Sequence, residues 1–137
     1  MAKLGSQAVV LGASMAGLLA ARVLADHFDR VTIIERDRLP TGPEARKGVP
    51  QGAHVHGIWP RGLGFIDRKL PGLRDALVAD GATDADAGRN FKWHQFGALK
   101  SREHVNLPTI LSSRPFLEHN VRTRVLALPN IEVIEGG

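Results

Sequence analysis

Residues 8–36, AVVLGASMAGLLAARVLADHFDRVTIIER, decide the fold of this chain. Residues 8–11 are continuously apolar, as expected for a parallel strand covered on both faces, and lead directly into a turn of small residues that starts at Gly12. Apolar side chains then recur at helical spacing. A second apolar strand, residues 31–34, is followed by Glu35, 23 residues after Gly12. This order of elements predicts a Rossmann-like α/β fold with an adenine-dinucleotide site at the turn.

Each position of the turn has a physical reason in such a site. Gly12 permits the tight turn, Ser14 stands where the backbone approaches a pyrophosphate, and Gly17 lets the helix pack closely on the strand. Ser14 replaces the usual middle glycine of G-x-G-x-x-G, and its hydroxyl can donate to a phosphate oxygen. The start of the helix directs free N–H groups at the phosphates. The predicted phosphate-binding residues are Gly12, Ala13, Ser14, Met15, Ala16 and Gly17.

Two residues at the end of the second strand bear on which nucleotide is bound. Glu35 is placed to accept hydrogen bonds from a ribose diol, and its charge would repel a 2′-phosphate, which disfavours NADP in this pocket. FAD and NAD both satisfy this condition. Arg36 either stacks on the adenine or is solvated.

Composition sets broad limits on the class of protein. The chain has 137 residues, 43% of them hydrophobic and 23% charged, which is typical of one soluble globular domain. The absence of cysteine excludes disulfides, thiolate metal sites and a cysteine nucleophile. No apolar run reaches the roughly 20 residues that span a bilayer, and no signal-peptide pattern is present, so we expect a cytoplasmic protein. The net charge of +4 is spread through predicted helices with few aromatics, and we predict no nucleic-acid binding.

The remainder of the chain alternates loops, helices and strands. Residues 37–57 are rich in proline and glycine and predict a long loop, a candidate cover for the cofactor. Residues 81–90 predict a polar connector. A strand over 91–100, paired with 105–107, predicts a small β excursion within 91–108. The other predicted elements are helices over 58–70, 73–79 and 114–128, the last capped by Ser113, and a final strand over 131–134.

Four stretches carry a family resemblance: VVLGASMAGLLAARVL, TIIERD, RKGVPQGAHVHGIWPRG and SSRPFLEHNVRTRVLALPNIEV. Together they resemble the N-terminal part of the flavoprotein monooxygenases related to para-hydroxybenzoate hydroxylase, particularly bacterial FAD-dependent oxidoreductases. The resemblance covers nearly the whole chain and is strongest over residues 8–36 and 46–62. It implies a single domain over residues 1–137, a doubly wound FAD-binding fold with a parallel sheet that is incomplete.

The resemblance also implies roles for particular residues. The turn residues and Glu35 match positions that hold the ADP half of FAD in the family. Arg46 and Arg114 resemble family arginines that reach the FAD phosphates or ribityl chain, and a guanidinium group offers a fork of donors that suits phosphate oxygens. The implied electron donor is NAD(P)H.

Other family features lie beyond the stretch that this sequence matches. These are a Gly-Asp motif, the substrate domain and the wall around the isoalloxazine, so the sequence identifies neither catalytic residues nor a substrate. Two alternatives stay open: a catalytically inactive remnant or binding module, and a small NAD-binding dehydrogenase domain. Strands left without their neighbours would have open edges, which predict self-association.

Two other groups of residues have the composition of a site. His54 and His56 lie two residues apart and would face one side of an extended segment, but two ligands without a recognisable third predict no metal site. Ordinary loop hydrogen bonds or a polar contact to cofactor or substrate are the alternatives for this pair. Ser14 lacks the G-x-S-x-G spacing of a hydrolase nucleophile.

Overall fold

The computed structural model describes residues 3–136, which form a mixed α/β structure of helices and strands. The strands are β1 (Gly5–Leu11), β2 (Phe28–Glu35), β3 (Val55–Ile58), β4 (Thr83–Asp86), β5 (His94–Gln95), β6 (Ala98–Leu99), β7 (Pro108–Ser113) and β8 (Ile131–Glu135). The helices are α1 (Met15–Leu24), α2 (Pro60–Lys69), α3 (Leu73–Ala79) and α4 (Arg114–Leu126), with a short 3-10 helix at Pro50–Ala53.

The first sheet is parallel and has the strand order β1-β2-β8. Val31 and Ile33 of β2 are fully buried on one face, where they join a single apolar core with Leu18 and Ala21 of α1. Helix α4 closes the same side of the molecule against α1 and β8. The predicted α/β fold with a parallel sheet is therefore confirmed, in the form of a partial Rossmann-like unit.

The opposite face of this sheet is bare in the described chain. Val9 and Leu11 of β1 are 54% and 80% exposed, and Ile134 of β8 is 52% exposed. Parallel sheets normally have both faces covered, which suits the apolar Val9, Leu11 and Ile134 on this face. Self-association through unpaired strand edges stays a prediction.

A second, antiparallel sheet has the order β3-β7-β4. Its central strand β7 has Thr109 and Ile110 fully buried. The prediction of a connector over 81–90 was wrong, because polar Thr83–Asp86 pairs through its backbone with β7 and buries Ala85. The long loop predicted over 37–57 likewise contains the 3-10 helix, and β3 begins at Val55.

The segment between β4 and β7 differs in detail from the predicted pair of strands. In place of one strand over 91–100 there is a hairpin of two short strands, β5 and β6. It turns at Phe96 and Gly97, which have φ of 53° and 79°, and a left-handed residue allows this tight reversal. Residues 105–107 form no strand. The strand of this region starts at Pro108 and pairs with β3 and β4, because its apolar residues are needed in the core.

The predicted helices are confirmed with shorter bounds, since Ile58 belongs to β3 and α4 ends at Leu126. Helix α2 begins at Pro60 in its first turn, and α3 occupies the predicted residues. Helix α4 is capped as expected, since the Ser113 hydroxyl accepts a hydrogen bond from the backbone N–H of Phe116 at 3.4 Å. Its apolar stripe includes Leu117, Val121 and Val125.

Asp86 organises the segment that follows β4. Its carboxylate accepts backbone N–H hydrogen bonds from Gly88, Arg89, Val105 and Leu107, which joins both ends of the segment. Burial acts to raise the pKa of Asp86, but these four hydrogen bonds outweigh it and lower the pKa to about 2.

We expect Asp86→Asn to lower the urea midpoint of unfolding at pH 7, because a neutral amide cannot replace a carboxylate that accepts four N–H groups. A lowered folded pKa contributes stability above the ordinary value of 3.8, and this contribution is lost as the pH falls to about 2. The difference between wild type and variant should therefore shrink in unfolding curves measured from pH 7 down to pH 2.5. Asp29→Asn, at an exposed site, is the control. A difference independent of pH would contradict this role.

Candidate nucleotide site

The turn after β1 has the geometry that the sequence predicts. Gly12 has φ of +92°, and its N–H donates to the carbonyl of Ile34 at 2.8 Å, which fixes the turn against β2. A Cβ on Gly17 would overlap the carbonyl oxygen of Gly12, so the helix lies as close to the turn as glycine allows. The site is thus built on closely packed backbone.

The start of α1 offers free donors. The first helical hydrogen bond runs from the N–H of Leu18 to the carbonyl of Ser14 at 2.8 Å, so the N–H groups of Met15, Ala16 and Gly17 precede it. Ser14 occupies the N-cap position, and its hydroxyl makes no capping bond within the described chain. Four donor groups therefore lie at the positive end of the helix, the arrangement that suits an anion.

Glu35 lies beside this turn and is buried. Its Oε2 accepts the N–H of Ala13 at 2.7 Å, and its Oε1 accepts the N–H of Asp37 at 3.0 Å. The guanidinium of Arg46 is 3.2 Å from Oε2, and the Glu35 side chain is 8% exposed. Burial acts to raise the pKa of Glu35, but the two backbone hydrogen bonds and Arg46 outweigh it and hold the pKa below its usual value. Glu35 is thus a charged acceptor at neutral pH.

Arg46 connects Glu35 to α4. Its Nη2 lies 2.7 Å from Oε1 of Glu118 and donates a hydrogen bond to the carbonyl of Ala13 at 3.2 Å, and its side chain is only 6% exposed. Its Nε is buried and has no hydrogen-bond partner among the described residues. A buried donor without an acceptor is uncommon and costly, so Arg46 retains unused binding capacity.

Glu118 also contacts two arginines of α4. Arg114 Nε is 3.4 Å from its Oε2, and Arg122 Nη1 is 3.9 Å from its Oε1. We call Glu35, Arg46, Arg114, Glu118 and Arg122 the arginine–carboxylate cluster. It contains three positive and two negative groups, and Glu44 and Glu135 add negative charge near Arg122.

Arg122 fixes the segment that carries Arg46. Its Nη2 donates to the carbonyls of Pro40 and Gly42 at 2.7 and 3.1 Å. Burial lowers the pKa of Arg122, and Glu118 opposes this shift. An arginine stays protonated in proteins despite such shifts. Residues 40–46 are therefore tied to α4 at both ends, through Arg122 and through Arg46.

The structure brings most of the residues singled out in the sequence to one place. The turn 12–17, Glu35 and Arg46 are in direct contact, and Arg114 joins them through Glu118. Arg36 is 74% exposed at its side chain, as in the solvated alternative. Glu118 and Arg122 were missed, although Arg114, Glu118 and Arg122 are spaced by four and lie on one helix face.

The histidine pair lies where the 3-10 helix leads into β3. The Nδ1 atom of His56, in β3, is 2.9 Å from the carbonyl oxygen of His54, a local contact. Among residues 3–136, no three His, Cys, Asp or Glu side chains come together as a metal site would require. Within the same residues, none of the helices has both the length and the apolar character needed to cross a membrane.

Comparison with known proteins shows what this geometry resembles. The chain is 39% identical over 131 residues to Protein Rv3254 of Mycobacterium tuberculosis (strain ATCC 25618 / H37Rv), covering 93% of this chain and 28% of that protein. No protein-family model matches the chain. Since it spans less than a third of this relative, the match leaves most of the relative's length uncompared.

Two solved structures identify the fold. The tetrameric form of 2-methyl-3-hydroxypyridine-5-carboxylic acid oxygenase superposes with a TM-score of 0.70 at 20% identity, over 97% of this chain and 32% of that one. CmlS, a flavin-dependent halogenase, superposes with a TM-score of 0.65 at 21% identity, over 99% of this chain and 23% of that one. The chain shares the fold of this oxygenase and this flavin-dependent halogenase. At these identities the likeness shows the fold alone, and the chain spans a third or less of the structures that share it.

Proposed function

We propose that this chain binds the ADP half of FAD at the turn between β1 and α1. The observation that carries the proposal is the position of Glu35, a buried charged carboxylate 2.7 Å from the N–H of Ala13 in that turn. An acid that ends the second strand beside a glycine turn is the arrangement that serves an adenosine ribose. The fold shared with a flavin-dependent enzyme supports FAD over NAD.

The proposed roles follow from the donor and acceptor types. The N–H groups at the start of α1 and the Ser14 hydroxyl bind the diphosphate, and Glu35 accepts hydrogen bonds from the ribose hydroxyls. Arg46 and Arg114 supply guanidinium donors to the phosphate or ribityl oxygens. When bound, FAD supplies the redox chemistry.

The residues present fit this ligand with one exchange of partners. A carboxylate has about four lone-pair sites. Three donors, from Ala13, Asp37 and Arg46, already occupy Glu35. A ribose diol brings two hydroxyl groups, so one of them takes the place of Arg46 on Glu35. The Arg46 donor released in this way, together with its unpartnered Nε, is then available to a phosphate.

The wider proposal is that the ADP-binding unit serves a flavin-dependent monooxygenase with NAD(P)H as electron donor. The family resemblance of the sequence and the shared fold support this activity. A non-catalytic binding module is the alternative. Oxygen uptake with FAD and NAD(P)H separates the two, because a binding module gives only the background of free flavin.

We expect the folded chain to bind FAD and ADP, to bind FMN much more weakly because FMN lacks the ADP half, and to prefer NAD over NADP. Glu35→Gln should weaken ADP binding by about 10- to 100-fold, since hydrogen bonds to a charged acceptor are worth about 1.5–3 kcal/mol. Calorimetric titration measures the affinity for each of these ligands and the effect of Glu35→Gln on ADP binding. The matched control is Glu132→Gln, an exposed carboxylate on β8 that bonds to Thr32. A folded wild type that binds neither FAD nor ADP would refute the proposed function.

A further inference from the structure

We propose that Glu118 is a positioning residue that keeps Arg46 and Arg114 directed at the diphosphate once the ribose has taken the place of Arg46 on Glu35. This inference rests on the proposed function. It assigns a task to a residue outside the nucleotide turn, 72 residues after Arg46 in the sequence.

The first step of the argument is that Arg46 has two carboxylate partners. Under the proposed function, Glu35 is the one that a ribose diol would occupy. The contact of Arg46 with Glu118, at 2.7 Å, is shorter than its 3.2 Å contact with Glu35. Glu118 is therefore the partner that can hold the guanidinium while the contact with Glu35 is given up.

The second step is that Glu118 itself acts without touching the ligand. Its side chain is 5% exposed, and the cavity between it and the surrounding arginines has a volume of only about 10 Å³. Such a space accommodates no more than about one water molecule. Arg46 and Arg114, one on each carboxylate oxygen, lie over Glu118, so its influence on a phosphate passes through them.

The third step is that Glu118 and the segment that carries Arg46 are both held in fixed positions. Glu118 projects from α4, and Arg122 of the same helix ties the Pro40 and Gly42 carbonyls of the segment that carries Arg46. An arginine whose position is fixed before binding loses less side-chain entropy when it bonds a phosphate. Removing Glu118 would leave both guanidinium groups free to adopt other rotamers.

The test compares ADP with adenosine as probes in calorimetric titrations of the folded chain. We expect Glu118→Gln to weaken ADP binding on the order of tenfold, the value of one charge-assisted hydrogen bond, and to leave adenosine binding within about twofold. Charge alone predicts the opposite sign, because removing a negative group beside a phosphate site favours an anion. Tighter or unchanged ADP binding would therefore overturn the proposal.

Two further variants keep the test decisive. Glu118→Asp keeps the negative charge but moves the carboxylate away from the arginines, so a positioning role predicts weaker ADP binding in this variant as well. If Glu118→Gln does not fold, as judged by the absence of cooperative unfolding, Glu118→Asp replaces it in the test. Glu44→Gln neutralises an exposed carboxylate near the same arginines and should change ADP binding less than about twofold. An equal loss of ADP and adenosine affinity would show a merely structural role and overturn the proposal. A wild type that binds no ADP refutes the proposed function itself, and this inference with it.

Discussion

Replacing Arg46 with methionine is expected to destabilise the protein by about 3 to 5 kcal/mol at pH 7, the usual cost of removing one partner from a buried ion pair. Methionine fills similar space but leaves Glu35 and Glu118 charged, buried and without their shared cation. Because all three side chains are at most 8% exposed, solvent does little to reduce this cost. Urea unfolding followed by circular dichroism measures it.

The pH dependence of this effect has a definite sign. In wild type the lowered pKa of Glu35 contributes stability above its ordinary value of 4.5, and that contribution is lost as the pH falls. The loss of unfolding free energy caused by Arg46→Met should therefore be largest near neutral pH and shrink below pH 4.5. Arg36→Met is the matched control, since Arg36 is 74% exposed and lies 3.8 Å from Asp37. If both variants were equally stable, Arg46 would not be the central cation of the cluster.

Gly17→Ala is expected to destabilise the protein by about 3 kcal/mol or more, at or above the upper end of the cost of overpacking. The added methyl group overlaps the carbonyl oxygen of Gly12, which is backbone and cannot rotate away. The helix must shift away from the turn, and the donors at its start move with it. Unfolding in urea and ADP titration should both report the change.

Gly64→Ala provides the comparison for this substitution. Gly64 also lies inside a helix, and a Cβ there meets only the end of the Arg68 side chain, at 3.6 Å. Alanine is a better helix former than glycine, so we expect a gain of about 0.5 to 1 kcal/mol. Similar losses of stability in Gly17→Ala and Gly64→Ala would mean that the close approach of α1 to the turn does not cause the effect of Gly17→Ala.

Features determined by local sequence were predicted well. The turn Gly12–Gly17, the strand that ends at Glu35 and the helix capped by Ser113 each depend on residues near in sequence, and each lies where its pattern placed it. Strand β4 was missed because Thr83–Asp86 has no strand pattern of its own and is a strand only through its pairing with β7.

The arginine–carboxylate cluster was predicted only in part for a different reason. Charged residues spaced by four on a helix usually form a solvated face, and the sequence of α4 does not state which of its charges are covered. Burial of Glu118 and Arg122 depends on residues 40–46 folding over them, a contact between segments that are about 80 residues apart. Such contacts are set by the tertiary fold and leave no local pattern.

The strand order of the parallel sheet has a kinetic consequence. Strand β8 pairs with β2 so that Val31 lies beside Ile131, and the Thr32 hydroxyl bonds to Glu132 across 100 residues of chain. Closing so long a loop costs entropy before any contact is gained, which slows folding in chains dominated by distant contacts. We therefore expect addition of β8 to be a late event during refolding, after the first strand, turn and helix have collapsed together.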